Sequence, residues 1–219
     1  MTKPYRLVVF DWEGTLGDTV GPVLNAISAV ARQLHYETFD LERARGVVSL
    51  GLGLAIQKLF PDLSLHQQQQ FLHTIHQVLA TNSLESCLFP GAMDLLESLK
   101  QEGVDCAIAT NRGAASLQRV LQSLGIKDMF AVTRSAGSMP AKPCPKMLED
   151  IMAVCGVSAS ETLMVGDSIT DIDMAVQIQV DAVGVDFYHQ NEPALRAAGA
   201  MAVFDEYSQL AAFLRPKQR

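Results

Sequence analysis

Short continuous apolar runs alternate with amphipathic segments from about residue 88 onward, and one such run also lies near the start of the chain. Arg6–Phe10 and Thr162–Val165 have strand length and polar boundaries, which is typical of strands buried on both faces. Ala92–Gln101 and Pro145–Val154 carry apolar residues at helical spacing. Strand–helix units repeated at this length indicate a parallel sheet with right-handed crossover helices. The pattern therefore predicts an α/β fold, with strands at 6–10, 104–109, 130–134, 162–165, 182–185 and 201–204 and helices at 92–101, 114–124, 145–154, 170–177, 192–198 and 208–214.

A block from Asp18 to about Leu84 interrupts this series and is predicted to be mostly helical, without a strand. Asp18-Thr19 would cap a first helix whose apolar residues run at helical spacing from Val23 to Leu34, and the same spacing predicts further helices at 41–46, 53–60 and 65–79. Because the block directly follows the first strand, we predict an insertion into the α/β fold. Residues 1–16 and 88–219 would form the core domain, and residues 17–87 would form a helical cap domain that acts as a lid.

Polar and charged residues that could take part in catalysis or binding cluster where the predicted strands end. In parallel sheets, ligands bind beyond the carboxyl ends of the strands, so side chains at these positions are candidates for a binding crevice. The candidates are Asp11 and Glu13 after the first strand, Thr110, Asn111 and Arg112 after strand 104–109, Lys142 before helix 145–154, and Asp167 and Asp171 after strand 162–165.

Most of these segments also have a structural explanation when taken alone. Thr110 or Asn111 would cap the following helix, and the free N–H groups there would equally form an anion site. A lone lysine such as Lys142 is usually solvated. Asp167 and Asp171 would stabilise the first turn of a helix through its dipole. An acid at the end of a buried strand, as at Asp11, is harder to explain by packing.

Taken together, the candidates indicate one kind of chemistry. If Asp11, Asp167 and Asp171 meet at one sheet edge, they repel one another unless a cation lies among them, and oxygen ligands favour Mg²⁺. A phosphate approaching a carboxylate meets a repulsion of about 4 kcal/mol per charge pair, at roughly 4 Å and an effective dielectric constant of about 20. Mg²⁺ and Lys142 would cancel that repulsion, while Thr110 and nearby N–H groups hold the phosphoryl oxygens.

The same residues give the chain a resemblance to the haloacid dehalogenase (HAD) superfamily, in particular to its phosphoglycolate phosphatase-like members with a small helical cap. The resemblance covers nearly the whole chain, and the four motifs occur in the order and spacing of that family. The motifs are Asp11-Trp12-Glu13-Gly14-Thr15-Leu16, Thr110-Asn111, Lys142-Pro143, and Gly166-Asp167-Ser168 with Asp171.

The resemblance implies a HAD-like, Rossmann-type parallel sheet with an inserted helical cap, and a Mg²⁺-dependent phosphatase acting on a small organic phosphate monoester, such as a phosphoglycolate-like compound or a sugar phosphate. It implies an aspartyl-phosphate intermediate. Asp11 would be the nucleophile and a Mg²⁺ ligand, Glu13 would offer its backbone carbonyl to the metal, Asp167 would be a direct ligand, Asp171 would hold the metal through water or orient Lys142, and Thr110 and Asn111 would bind the phosphoryl group. Arg112, beside this cradle, is a candidate for substrate contact.

Glu13 departs from the family pattern. The family's phosphatases usually carry Asp at this position, where its side chain protonates the leaving alcohol and then activates water. The reference pKa values are similar, about 4.3 for Glu against about 3.9 for Asp. The extra methylene matters more, because displacing a catalytic group by about 1 Å costs roughly 10²-fold in rate. Our hypothesis is a working enzyme whose pocket suits the longer acid; a slow enzyme or a long-lived phosphoenzyme is the alternative.

Three other functions fit parts of the sequence. A haloacid dehalogenase shares the fold and the Asp nucleophile but needs no Mg²⁺. The acidic pair Asp167 and Asp171 argues against this function, and so does Glu13. A phosphomutase of the β-phosphoglucomutase type would have to protect its phosphoenzyme from water. A HAD-fold binding or regulatory protein gains weight from Glu13 but loses more because the nucleophile, the lysine and the metal acids are all present.

Composition narrows the partners. The chain has 219 residues with a net charge of −7 and a pI of about 5.2, so we expect no nucleic-acid partner. No apolar run approaches a membrane span, Met1–Pro4 lacks an apolar signal region, and the four cysteines show no C-x-x-C spacing. We therefore expect a cytoplasmic protein that binds a small phosphorylated metabolite and no membrane. The sequence specifies no oligomeric state.

Overall fold

A parallel sheet organises the larger of two units into which the chain divides. In the computed structural model, which describes residues 5–36, 41–48, 52–81 and 87–215, this α/β unit comprises Met1–Gly17 with Leu88–Arg219. The strands of the chain are β1 (Leu7–Phe10), β2 (Gly17–Asp18), β3 (Cys87–Leu88), β4 (Asp105–Thr110), β5 (Val132–Ser135), β6 (Thr162–Gly166), β7 (Asp181–Val185) and β8 (Val203–Phe204). The main sheet has the order β5-β4-β1-β6-β7-β8, with all neighbouring strands parallel.

Helices cover both faces of this sheet. They are α5 (Ala92–Gln101), α6 (Ala114–Ser123), α7 (Lys146–Cys155), α8 (Ile169–Val176), α9 (Glu192–Ala198) and α10 (Tyr207–Leu214). Val8 and Phe10 of β1 pack on the side of α5, α6 and α10, whereas Leu7 and Val9 pack on the side of α7, α8 and α9. Successive strand residues point to opposite faces, so covering both faces explains why β1 is apolar at every position.

The predicted fold class is confirmed, and the strands of the main sheet and the α-helices that cover it lie within two residues of their predicted bounds. The order of the sheet also locates a binding crevice. The chain leaves β1, continues on one side of it through β4 and β5, and then returns to its other side at β6. Ligand sites of parallel sheets lie at such a reversal, beyond the carboxyl ends of the strands. This is the position of the loop that carries Asp11.

The second unit, Asp18–Cys87, is built around an apolar and aromatic centre. Its described helices are α1 (Gly21–Gln33), α2 (Leu41–Val48), α3 (Leu52–Leu59) and α4 (Leu65–Thr81). The ring of Phe71 lies 5.0 Å from that of Phe60 and 5.7 Å from that of Tyr36. Apolar side chains from α1, α3 and α4 complete the centre, namely Ile27, Val30, Ile56 and Ile75. None of the helices in the described ranges is both long and apolar enough to span a membrane.

The start of this helical unit differs from the prediction. The sequence pattern predicts that Asp18-Thr19 caps the first helix, but Asp18 lies in β2, which forms a two-stranded sheet with β3, and the N-cap of the helix is Val20. Strands of two residues show no alternation of apolar and polar positions, so the pattern could not reveal them. Asp18 does accept hydrogen bonds from the backbone N–H groups of Val20 and Gly21, at 3.1 and 2.7 Å. Helix α1 begins at Gly21, with Pro22 in its first turn, where proline is well tolerated.

Candidate active site

The loop after β1 places Asp11 beyond the carboxyl end of the central strand. The backbone N–H of Asp11 donates to the carbonyl of Val165 on neighbouring β6, at 2.9 Å. The loop then turns back, because the N–H of Gly17 donates to the carbonyl of Trp12 at 2.7 Å. Asp11 is buried, with a relative exposure of 8%. A buried carboxylate is therefore held at the sheet edge by backbone hydrogen bonds on both sides of it.

Gly14 and Thr15 bring this loop against the loop after β6. Gly14 has a φ of +75°, and a Cβ at this position would collide with the carboxylate of Asp167. Glycine meets both demands because it has no side chain and adopts positive φ without strain. The hydroxyl of Thr15 donates to Asp167 Oδ1 at 3.3 Å. These contacts bring Asp167 next to the Asp11 loop.

Asp11, Asp167 and Asp171 form a cluster in which each offers a carboxylate oxygen, and these oxygens all lie within 4.8 Å of one another. Asp171 is fully buried at the start of α8, where its Oδ2 accepts hydrogen bonds from the hydroxyl and the backbone N–H of Ser168, at 2.6 and 3.2 Å. A Cβ at Gly166 would collide with the Asp171 side chain, so glycine permits this close approach. Asp171 thus takes part in the capping box of α8, whose N-cap is Ser168, and also belongs to the cluster.

Lys142 lies between two of these acids. Its Nζ is 2.7 Å from Asp11 Oδ1 and donates a hydrogen bond to Asp171 Oδ1 at 2.5 Å. The side chain of Lys142 is only 2% exposed. Its backbone N–H donates to Asn111 Oδ1 at 2.9 Å, which ties the segment before α7 to the loop after β4. Lys142 is therefore a buried ammonium and not the solvated lysine that its sequence neighbourhood alone would suggest.

The electrostatics of the cluster favour an added cation. Burial raises the pKa of Asp11 to about 6, with Lys142 opposing and Asp171 reinforcing the shift. Burial also raises the pKa of Asp167 to about 7, and the charges of Asp11 and Asp171 add to this. Burial lowers the pKa of Lys142, but Asp171 and Asp11 outweigh it and raise that pKa above its ordinary value. Three carboxylates thus face one ammonium, and an oxygen-only donor set with excess negative charge fits a hard divalent cation.

The loop after β4 completes the site. Thr110 is buried, and its hydroxyl accepts a hydrogen bond from the backbone N–H of Arg112 at 3.2 Å. The guanidinium of Arg112 reaches the loop after β1, where its Nη1 donates to Glu13 Oε1 at 2.8 Å. Contacts at this sheet edge thus connect all the predicted site residues, which are Asp11, Glu13, Thr110, Asn111, Arg112, Lys142, Asp167 and Asp171.

Tyr207 supports the site, although the sequence did not single it out. Its buried hydroxyl, from α10, donates to the backbone carbonyl of Thr15 at 2.7 Å. Burial raises the pKa of this phenol well above its ordinary value, so it remains a donor. The two residues are 192 positions apart, and a tyrosine in an amphipathic helix carries no sequence signal for such a contact.

Comparison with known proteins identifies the family. The model of the haloacid dehalogenase-like hydrolases matches residues 5–179. The chain belongs to this family. Among curated relatives, this HAD-like hydrolase is 27% identical to the phosphoglycolate phosphatase of Rhodospirillum rubrum, over 95% of its own length and 90% of the relative's.

Solved structures share the fold along nearly the full chain. A predicted phosphoglycolate phosphatase from Haemophilus somnus superimposes with a TM-score of 0.65 at 22% identity, covering 96% of this chain and 98% of that one. A candidate β-phosphoglucomutase from Thermotoga maritima gives a TM-score of 0.68 at 24% identity, covering 96% and 100%. At these identities the likeness concerns the fold, which both named activities share.

Proposed function

We propose that this HAD-like hydrolase is a Mg²⁺-dependent phosphatase that hydrolyses a small organic phosphate monoester through an aspartyl-phosphate on Asp11. The observation that carries the proposal is the cluster of Asp11, Asp167 and Asp171, in which Asp11 and Asp171 are buried and both pair with the buried Lys142. Burying charge is costly unless it is paired, so an excess of buried carboxylates indicates a site for a cation.

The donor set of the cluster fits Mg²⁺, a hard ion that prefers oxygen ligands. Asp11 and Asp167 would hold the ion with their carboxylates and Glu13 with its backbone carbonyl. Asp171, already bonded to Lys142 and Ser168, would act through water or by orienting Lys142. When bound, the ion supplies positive charge that lets a phosphate approach a carboxylate and that stabilises the charge developing on the phosphoryl oxygens.

In the proposed first step, a carboxylate oxygen of Asp11 attacks phosphorus while the bond from phosphorus to the ester oxygen breaks. Glu13 gives its proton to the leaving alcohol. In the second step, Glu13 takes a proton from water, whose oxygen attacks the phosphorus of the aspartyl-phosphate. The bond from phosphorus to the Asp11 oxygen breaks, so that free phosphate leaves and both side chains return to their starting state.

Lys142, Thr110 and Asn111 are proposed to hold the phosphoryl group. Lys142 has the charge to offset that of the phosphoryl oxygens, and its fixed position between Asp11 and Asp171 means that little reorganisation is needed during reaction. Thr110 is the last residue of β4, and the exposed Asn111 begins the loop that leads to α6, where helix N-terminal N–H groups also favour anions. The sequence also makes Arg112 a candidate for substrate contact, which the structure does not test and which is not part of this proposal.

The substrate class is inferred from the relatives. The similarity to phosphoglycolate phosphatase over most of both chains supports a small phosphorylated metabolite, with 2-phosphoglycolate and sugar phosphates as the first candidates. The likeness to the Thermotoga maritima structure is compatible with a phosphomutase and favours it no more than a phosphatase, because it concerns the fold. A mutase would return the phosphoryl group to a sugar, whereas the proposed enzyme releases it as phosphate.

A phosphate-release screen over small phosphate esters, with Mg²⁺ or with EDTA, tests the proposal. We expect release that requires Mg²⁺ and that falls by at least roughly 10³-fold in Asp11→Asn, because the nucleophile is removed. Asp173→Asn is the matched control, since Asp173 lies in the same region of α8 as Asp171 but outside the carboxylate cluster. Release that persists in EDTA or in Asp11→Asn would contradict the proposal, and so would a folded wild-type protein without activity.

A further inference from the structure

The side chain of Glu13, the residue that departs from the family pattern, is bound by an arginine from another loop. Arg112 Nη1 lies 2.8 Å from Glu13 Oε1. The two residues are 99 positions apart, but β1 and β4 are neighbouring parallel strands, and each residue follows the carboxyl end of its own strand. The sheet therefore brings them together at the edge where Asp11 lies.

Arg112 is itself fixed by two further hydrogen bonds. Its Nε donates to the hydroxyl of Ser116 in the first turn of α6, at 2.9 Å, and its backbone N–H donates to Thr110 Oγ1 at 3.2 Å. The side chain of Arg112 is 14% exposed, whereas that of Glu13 is 52% exposed. A largely buried and anchored guanidinium thus holds a carboxylate that is mostly open to solvent.

The arrangement is poorly explained as a device for stability. Ion pairs with one exposed partner contribute little to folding because water screens them and because ordering a long side chain opposes them. It is well suited to positioning. Compared with an aspartate, Glu13 has one more rotatable bond and a carboxylate about one C–C bond length further from the backbone. A flexible acid at 52% exposure needs a partner if its carboxyl group is to remain in one place.

We infer that Arg112 is a positioning residue for Glu13, and that the chain of contacts from Ser116 through Arg112 to Glu13 lets the longer acid serve in place of aspartate. The inference rests on the proposed function, in which Glu13 is the general acid and base. Arg112 acts on the reaction through Glu13 and not by contact with the phosphoryl group. Direct binding of substrate by Arg112 is the competing assignment.

A double-mutant cycle between Arg112→Ala and Glu13→Asp separates these assignments. Because the shorter aspartate does not reach the guanidinium as it is placed, the positioning contact is already lost in Glu13→Asp. We expect Arg112→Ala to lower kcat by about 10- to 100-fold with little change in KM when Glu13 is present. In the Glu13→Asp background the same substitution should change kcat by less than roughly threefold.

Two variants make the test independent of the activity that Glu13→Asp retains. Arg112→Lys keeps one donor for Glu13 and should restore part of the kcat lost in Arg112→Ala. Ser116→Ala removes the anchor of the guanidinium and should lower kcat by a smaller factor, again without raising KM. Arg196→Ala, which removes an ion pair of the same 2.8 Å length on α9, is the matched control and should leave kcat and KM unchanged.

Three results would overturn the inference while the phosphatase proposal stands. The first is a rise in KM of similar size whether Arg112→Ala is made in the wild type or together with Glu13→Asp, which indicates that Arg112 binds substrate. The second is an unchanged kcat in Arg112→Ala. The third is an increased kcat in Arg112→Ala, which indicates that the arginine holds Glu13 away from the reaction. If the folded wild-type protein shows no Mg²⁺-dependent activity, the proposed function fails and the inference fails with it.

Discussion

The helical unit buries apolar and aromatic side chains at its centre, whereas the α/β unit also buries charged ones at one edge of its sheet. Among the described residues, those that are buried and polar or charged all lie in the α/β unit. They include Asp11, Lys142 and Asp171, which contact one another, and Asp186, which accepts hydrogen bonds from the backbone N–H groups of Gln190, Asn191 and Glu192.

The two kinds of buried acid in the α/β unit differ in a way that separates chemistry from structure. Asp186 is satisfied by three N–H donors of its own loop, so its charge is compensated locally. Asp11 and its partly buried neighbour Asp167 instead have pKa values raised by burial and by neighbouring acids. An arrangement of carboxyl groups that opposes folding persists only where function requires it. Carboxyl groups with strongly shifted pKa values in a crevice therefore indicate a functional site.

Removing the buried ammonium should have the largest effect. We expect Lys142→Met to lower kcat/KM by about 10²- to 10³-fold, because the variant lacks the fixed charge that we propose faces the phosphoryl group. In the metal-free protein it should also lower the free energy of unfolding by about 3–5 kcal/mol, because Asp11 and Asp171 lose their partner. Steady-state kinetics and denaturant unfolding measure the two effects.

Lys146→Met is the matched control for that substitution. Lys146 pairs with Glu149 at 2.7 Å, close to the distances made by Lys142, but its side chain is 62% exposed. Exposed pairs contribute little, so we expect neither measurement to change. Equal losses in the two lysine variants would break the distinction between a buried functional charge and an ordinary surface pair.

Removing one ring from the aromatic centre tests whether packing there stabilises the helical unit. Phe71→Ala should destabilise the helical unit by about 3–5 kcal/mol, since Phe71 is fully buried against Tyr36 and Phe60. Leu65→Ala, on the same helix at 78% exposure, should stay within about 0.5 kcal/mol. We expect Mg²⁺ to raise the Tm of the α/β unit, and both variants should keep that rise because the carboxylate cluster lies wholly in this unit. A loss of that rise in Phe71→Ala alone would show that the two units are not energetically separate.

The sequence predicted the fold class because the central strands β1 and β6 are buried at every position and are therefore apolar almost throughout. It also predicted that Asp11, Lys142, Asp167 and Asp171 lie at one edge, since parallel strands end together. Their catalytic and metal-binding roles remain predictions. What it could not reveal were contacts between loops that depend on exact side-chain reach, such as that of Arg112 with Glu13. The strands β2 and β3 were missed because two residues are too few to carry a periodic pattern.

The smallest expected effect concerns the stability of the metal-free α/β unit as a function of pH. The pKa values of Asp11 and Asp167 are raised to about 6 and about 7, above the ordinary value near 3.9. The folded chain therefore binds more protons than the unfolded chain between about pH 4 and about pH 7, so the free energy of unfolding falls as pH rises through that window. Saturating Mg²⁺ should replace those protons, and the rise in Tm that it causes should grow with pH.

Asp167→Asn isolates the contribution of one carboxyl to this slope. The amide does not titrate, so the Tm of the metal-free variant should fall less steeply than that of the wild type toward the upper end of the window, near about pH 7. The variant should also gain less Tm from Mg²⁺, because one proposed ligand is gone. Thermal unfolding in EDTA and in Mg²⁺ measures both quantities. Identical slopes for the two proteins would mean that the carboxyl of Asp167 does not have the raised pKa that distinguishes this edge of the sheet from the apolar centre of the helical unit.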